Sequence, residues 1–214
     1  MDSRNVRLTN FLYQGGDDCV AIKPRSHAIS VRNVTCISGN GIAIGSLGQY
    51  LEDSSVTNVE IDNATIIKGG AQGNVGNAVY IKTWVGELVS GGDRDYESEY
   101  QPRGGGWGDV RNLVFSNFEV RGAKNGGVVT QNSGDNGTAA GTSNMLVNNV
   151  VFANFTGWLD EGRETIASVS CSERQPCYNI AYVNYDLKTG VNGTSSGKAS
   201  CKWVEDGGVR GVDC

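Results

Sequence analysis

The sequence predicts an all-β chain wound as a right-handed parallel β-helix, and three observations carry that expectation. A short stretch recurs: "NVRLTNF" (5–11), "AISVRNV" (28–34), "NVEIDNA" (58–64), "NLVFSNF" (112–118), "NVVFANF" (149–155) and "NIAYVNY" (179–185). Each reads apolar-x-apolar-x-Asn, which is strand periodicity closed by a turn residue. A second short apolar run follows in the coils: "CVAIKP", "NGIAIGS", "AVYIKTW" and "GVVTQN". Finally, 31 Gly accompany only 3 Pro and no stretch shows helical spacing, so the chain is rich in turns yet neither collagenous nor Pro-rich.

Taken in order, the closing Asn are Asn10, Asn33, Asn63, Asn117, Asn154 and Asn184, spaced 23, 30, 54, 37 and 30 residues apart. Repeats of this length that cannot bury an apolar face alone stack into a solenoid. Asn at one place in each coil is expected to form a ladder of side-chain amides, a scaffold role. The second runs suit strands covered by neighbouring coils. The 54-residue step predicts an insertion over roughly residues 84–109, Gly-rich and polar, of the kind that carries function on repeat folds. The first repeat opens at Val6 with no cap before it, which predicts an N-terminally truncated solenoid. The C-terminal end reads as closed by Cys201 and Cys214 around polar residues. Residues 1–214 are read as a single domain.

A net charge of -5 argues against a nucleic-acid partner, and no apolar run approaches the ~20 residues of a membrane helix. Six cysteines without a Cys-x-x-Cys pair point to disulfides rather than zinc. Six allow 15 connectivities; sequential pairing (Cys19–Cys36, Cys171–Cys177, Cys201–Cys214) is the expectation. Asn-x-Thr sequons at Asn33, Asn63, Asn136, Asn154 and Asn192 are candidate glycan acceptors. Cysteines and sequons together predict an extracellular protein, although "MDSRNVRLTN" has no signal-peptide pattern. A monomer without metal or cofactor is expected. No acidic cluster has calcium-loop spacing, "GNGIAIG" is followed by no helix pattern, and the lone His27 in "PRSHAIS" makes a Ser-His-Asp triad a poor reading.

The chemistry concentrates in "YQGGDDCVAIKP" (13–24), where Asp17 and Asp18 lie between a Gly pair and a strand. Two carboxylates in different environments can divide acid and base work. Adjacent residues on a regular strand point to opposite faces, so a shared cleft requires a distortion, and Gly15 and Gly16 are the expected place for a bulge. With the coils aligned, "GGDDC", "GNGIAIGSLGQY" and "YIK" fall on successive second strands. This order resembles glycoside hydrolase family 28, the polygalacturonases and rhamnogalacturonases, in its exo-acting fungal branch; the resemblance spans the chain, as the C-terminal portion of such an enzyme.

The family signature runs Asn-Thr-Asp, Gly-Asp-Asp, Gly-His-Gly, Arg-Ile-Lys. The resemblance implies Asp17 as general acid and Asp18 as one of two carboxylates that activate water. It implies Asn40, Tyr80 and Lys82 as substrate-binding positions, with Asn40 standing for the usual His and Tyr80 for the usual Arg. No Asn-Thr-Asp occurs here; the family spacing places it before Met1. Gln49 and Gln131 are candidate contacts to sugar hydroxyls, and Tyr50, Trp84 and Trp107 candidate stacking surfaces. The implied activity is inverting, exo-type hydrolysis of a pectic backbone, galacturonan or rhamnogalacturonan. Loss of the Arg, the bidentate partner of a galacturonate carboxylate, inclines the reading toward rhamnogalacturonan. The competing reading is an inactive truncated β-helix or a carbohydrate-binding remnant, one carboxylate short.

Overall fold

The computed structural model describes residues 1–70, 73–89 and 102–214; the part of the expected insertion at 90–101 lies outside the described residues. The fold is a parallel β-helix. One column of parallel strands comprises β1 (Arg4–Gln14), β3 (Ser26–Ile37), β5 (Val56–Ile67), the first half of β7 (Trp107–Ser133), β8 (Asn144–Leu159) and β10 (Tyr178–Thr189). A second column comprises β2 (Asp18–Ile22), β4 (Gly41–Leu47), β6 (Val75–Trp84), the second half of β7, β9 (Thr165–Ser170) and β12 (Lys198–Lys202). Two short strands, β11 (Ser195–Ser196) and β13 (Val209–Arg210), pair with β10.

The register explains the repeat. Val31, Ile61, Phe115, Phe152 and Tyr182 align on successive coils, as do Val34, Ala64, Phe118, Phe155 and Tyr185. Like side chains therefore stack along the axis: Phe115 on Phe152 at 5.3 Å, Phe152 on Tyr182 at 4.8 Å, and Phe118 on Phe155 at 4.5 Å between ring centroids. Gly127 makes room for one of these rings, since a Cβ there would lie 2.9 Å from Phe152.

The closing Asn do more than bond to one another. Asn10, Asn33, Asn63, Asn117, Asn154 and Asn184 all sit in the left-handed region, with φ between 48° and 58°, which Asn tolerates far better than most residues. In β3 the buried pairs Ile29/Val31 and Val34/Cys36 lie on either side of Asn33, and both face inward. A straight strand would turn the second pair to solvent; the left-handed residue resets the phase at a corner. Two strands per coil were expected from the sequence, and the first of them proves to be bent in two.

Asn33 donates to Asn10 and Asn63 to Asn33, both at 2.8 Å, while Asn154 donates to Asn117 at 2.9 Å and Asn184 to Asn154 at 3.1 Å. Between Asn63 and Asn117 the ladder is interrupted, because Asn117 donates to Asp62 instead. The leading Asn form a second ladder in which Asn112 bonds Asn58 and Asn149 bonds Asn112. The disulfides are Cys19–Cys36, Cys171–Cys177 and Cys201–Cys214.

Candidate active site

The distortion near the two carboxylates lies at Cys19, not at the glycines. Asp18 pairs with Gly41 while Val20 pairs with Ile42, so Cys19 is one residue extra in β2. Without this bulge Asp18 and Val20 would share a face, and Asp18 would point into the core. With it, Val20 stays inward in register with buried Ile42, and Asp18 joins Ala21 on the outer face. Cys19 is bonded to Cys36, which is fully buried, so the disulfide anchors the extra residue on the core side. Gly15 serves a different purpose: a Cβ there would lie 2.3 Å from the Tyr13 hydroxyl.

Asp17 is held by its neighbours. Its Oδ1 accepts the Asp18 N–H at 2.7 Å and the Asn40 amide at 3.1 Å, and its carbonyl accepts the Asn40 N–H at 3.0 Å. Asn40 is one member of a third amide column that sequence reading missed. Asn125 donates to Asn77 Oδ1 at 3.0 Å, Asn77 to the Asn40 carbonyl at 3.5 Å, and Asn40 to Asp17. The signal was present, since each of Asn40, Asn77 and Asn125 stands two residues before an inward position of a second-column strand.

Asp18 is nine-tenths buried, its Oδ2 is 3.9 Å from the Lys82 ammonium, and its Oδ1 has no hydrogen-bond partner among the described residues. Lys82 lies across the Tyr80 ring, 5.2 Å from its centroid. Burial, and secondly the charge of Asp18, push the Tyr80 phenol above its ordinary value. Between β2 and β6 the outer face of β4 carries only Gly41, Ala43 and Gly45. Gly45 has φ +123°, and a Cβ there would meet the Lys82 carbonyl at 2.3 Å and its Cγ at 3.0 Å, so the Lys82 stem passes directly over this rung. The result is a low floor with two carboxylates at one edge and Tyr80 and Lys82 at the other. Lys23, also unremarked in the sequence, donates to the Gly45 carbonyl at 2.7 Å.

Other candidates are placed elsewhere. Gln49 and Tyr50 follow β4, and their backbones bond Gly104 and Glu52. Gln131 is fully buried, donating to the Met145 carbonyl and accepting from Ser172 N–H, so it is interior and not a sugar contact. It stands two residues after inward Val129, and strand alternation already marked it. Trp84 packs over Gly134 beneath Arg103, leaving little ring face open. Trp107 is 49% exposed but begins β7, beside Asp53 and remote in the coil from Asp18. Among the sequons, Asn33, Asn63 and Asn154 are members of the amide ladder. Asn136 lies exposed in a loop with Thr138 donating to its Oδ1 at 2.8 Å, and the side chain of Asn192 is outside the described residues.

An exposed carboxyl with one oxygen committed and one without a partner among the described residues, beside a buried carboxylate whose Oδ1 likewise has none there, can deliver a proton at one point and take one at another. The profile of the family described as Glycosyl hydrolases family 28 matches residues 1–210. The Aspergillus niger protein named "Putative galacturan 1,4-alpha-galacturonidase C" is 57% identical over 99% of this chain and 49% of its own length. Another A. niger protein, named alpha-L-rhamnosidase rgxB, is 32% identical over 99% of the chain and 46% of its own. The crystal structure of an endo-xylogalacturonan hydrolase from Aspergillus tubingensis superposes with a TM-score of 0.77 at 24% identity, over 98% of this chain and 50% of that one. The chain spans about half the length of the curated relatives it matches.

Proposed function

The chain belongs to glycosyl hydrolases family 28, and from that premise we propose that it carries the acid and a water-activating carboxylate of an exo-acting, inverting hydrolase of the pectic backbone. One observation carries the reading: Asp18, nine-tenths buried with Oδ1 unpartnered, lies 3.9 Å from Lys82 and directly follows the hydrogen-bonded Asp17. Asp17 Oδ2, the oxygen not used by Asp18 N–H or Asn40, carries the proton to the glycosidic oxygen as the C1–O bond breaks. Water attacks C1 from the opposite side of the ring and yields its proton to Asp18, so the anomeric configuration inverts. Asn40, Tyr80 and Lys82 line the floor where the sugar lies, and Gln49 and Tyr50, beyond the end of β4, are proposed as further substrate contacts.

Galacturonan is the first substrate, on the name carried by the 57% identical relative. Tyr80, where the family has Arg, favours rhamnogalacturonan as the second. Three disulfides and an exposed sequon at Asn136 support an extracellular, glycosylated protein, and a monomer is proposed with it.

The test is reducing-sugar release from polygalacturonate and from rhamnogalacturonan by Asp17→Asn and Asp18→Asn. Each is expected to lower the rate by about 10²–10⁴-fold with the fold intact. Near-normal rates in either variant overturn the assignment.

A further inference from the structure

A cavity opens away from the catalytic floor, at the corner that precedes the second column. Gln14, Ile37, Ile67, Arg121 and Trp158 follow one another in register along that corner. Arg121 lies three steps beyond Gln14, roughly 14 Å along the axis at the usual strand spacing. This stretch shares no residue with the floor beside Asp17. β7 runs unbroken through the corner, whereas β5 ends at Ile67 and β8 at Leu159, which leaves a notch at Gly122. The cavity there measures about 400 Å³, and Lys68, Arg121, Trp158, Asp160, Glu161 and Val191 are among its lining. That is the size of a small-ligand site.

Both cations of the lining are already paired. A Cβ at Gly122 would meet the Lys68 Cβ at 3.0 Å and its Cδ at 3.3 Å, so the lysine stem passes over this glycine. Its ammonium reaches Asp160 at 2.6 Å, and Arg121 is paired with Glu119 at 2.6 Å. Asp160 is well fixed: its side chain is 19% exposed, and its Oδ1 accepts both the Lys68 ammonium and the Glu161 N–H. Its Oδ2 has no partner among the described residues. Trp158 is half-buried, and its indole makes no hydrogen bond or ring contact among the described residues. We infer that this notch binds an uncharged sugar unit, packed on Trp158 and hydrogen-bonded through neighbouring hydroxyls to Asp160 Oδ2 and the Lys68 ammonium. The apolar face of a sugar ring can cover an indole, whose large apolar surface is otherwise left half wet. A carboxylate and an ammonium fixed side by side present an acceptor and donors together, which suits a pair of hydroxyls. A uronate would bring its charge against Asp160 and Glu161 and meet only cations that are already paired. The choice of a sugar rests on membership of a glycoside hydrolase family, and on none of the roles given to Asp17 and Asp18.

The experiment titrates neutral galactotetraose and acidic tetragalacturonate into the full chain carrying Asp17→Asn, which prevents turnover, and follows the indole N–H resonances. The Trp158 resonance is identified by its loss in Trp158→Phe. Galactotetraose is expected to move it saturably, and tetragalacturonate to bind there about threefold or more weakly. Adding Trp158→Ala should weaken galactotetraose about tenfold, while Trp158→Phe, which keeps a ring, should stay within about threefold. Asp160→Asn still accepts from Lys68 but leaves the ammonium unpaired, so galactotetraose should weaken and tetragalacturonate tighten. Thermal unfolding reports whether each variant is folded. A Trp158 resonance that galactotetraose does not move overturns the inference, as does a Trp158→Ala chain that binds it as tightly as the parent. A parent chain that prefers tetragalacturonate at this resonance, or affinities unchanged by Asp160→Asn, overturns it too. Should Trp158→Ala fail to fold, the parent resonance and Asp160→Asn decide the matter. Each of these failures leaves the hydrolysis assigned to Asp17 and Asp18 standing, because reducing-sugar release tests that separately.

Discussion

Lys82 and Asp18 meet across a strand to which neither belongs: the ammonium on β6 reaches over β4 to within 3.9 Å of the carboxylate on β2. The reach is possible because β4 presents only Gly41, Ala43 and Gly45 on that face. Lys82→Met removes the cation facing a buried carboxylate and, on the proposed function, a contact to substrate. A charged hydrogen bond contributes about 1.5–3 kcal/mol, so kcat/KM should fall roughly 10- to 100-fold. Unchanged steady-state kinetics on polygalacturonate would exclude Lys82 from the site.

Gly45→Ala tests the floor itself. The substitution places a methyl group in the left-handed half of backbone space and against the Lys82 carbonyl. Strain of this kind costs of order 1–3 kcal/mol, so the urea midpoint should drop and Lys82 should be displaced with it. A variant as stable as wild type and equally able to bind pectic oligomers is the contrary result.

Breaking the Cys19–Cys36 link should lower both stability and activity. A disulfide closing a loop of this size contributes about 3 kcal/mol in the chain-entropy model. The bond also anchors the extra residue that turns Asp18 outward. In Cys19→Ser/Cys36→Ser, activity measured well below the unfolding transition should still be depressed. Full activity under those conditions means the bulge persists without its anchor.

How much of this was legible depends on whether a residue type and its role coincide. The recurrent Asn were legible because the left-handed corner that needs them recurs with the coil, and apolar pairs on both sides kept the register visible. The bulge was not. Gly15 and Gly16 advertise flexibility, yet the strand's register is decided by where Val20 packs and where Cys19 finds Cys36, both long-range facts. Asn77 and Lys23 escaped notice because each looks like an ordinary polar residue beside a strand; only alignment with Asn40 and Gly45 on the adjacent coil gives them a direction.

The ladder separates two contributions of Asn33. It has φ +56° and both gives and receives an amide bond, to Asn10 and from Asn63. Asn33→Gly keeps the backbone conformation and loses the two bonds, about 1–2 kcal/mol. Asn33→Ala loses the same bonds and adds the left-handed cost, about 1 kcal/mol more. Urea unfolding should rank wild type above Gly and Gly above Ala; an alanine variant as stable as the glycine one removes the backbone half of the argument. The same geometry sets sequon use. Glycopeptide mapping of secreted protein should find sugar at Asn136 and little at Asn33, Asn63 or Asn154, whose amide nitrogens are donors in the ladder. Full occupancy of those three would show that the ladder accommodates a glycan.

Tyr80 offers a readout of the site that needs no substrate. Its phenol is raised above the ordinary value of 10.0, first by burial and then by the charge of Asp18, both of which disfavour the phenolate. The sign follows: the stability that neutral Tyr80 contributes is complete below pH 10, and it is lost as pH rises through the elevated folded value. Tyr182 and Tyr185 are buried and pushed higher still, so they do not interfere. The difference in tyrosinate absorbance between wild type and Tyr80→Phe should therefore appear only above pH 10. Asp18→Asn removes the smaller of the two causes, so the Tyr80 transition should move down yet stay above its ordinary position, held there by burial. A transition that does not move in Asp18→Asn would mean that Asp18 and Tyr80 are not in electrostatic contact, and the floor that joins the carboxylates to Lys82 would have to be redrawn.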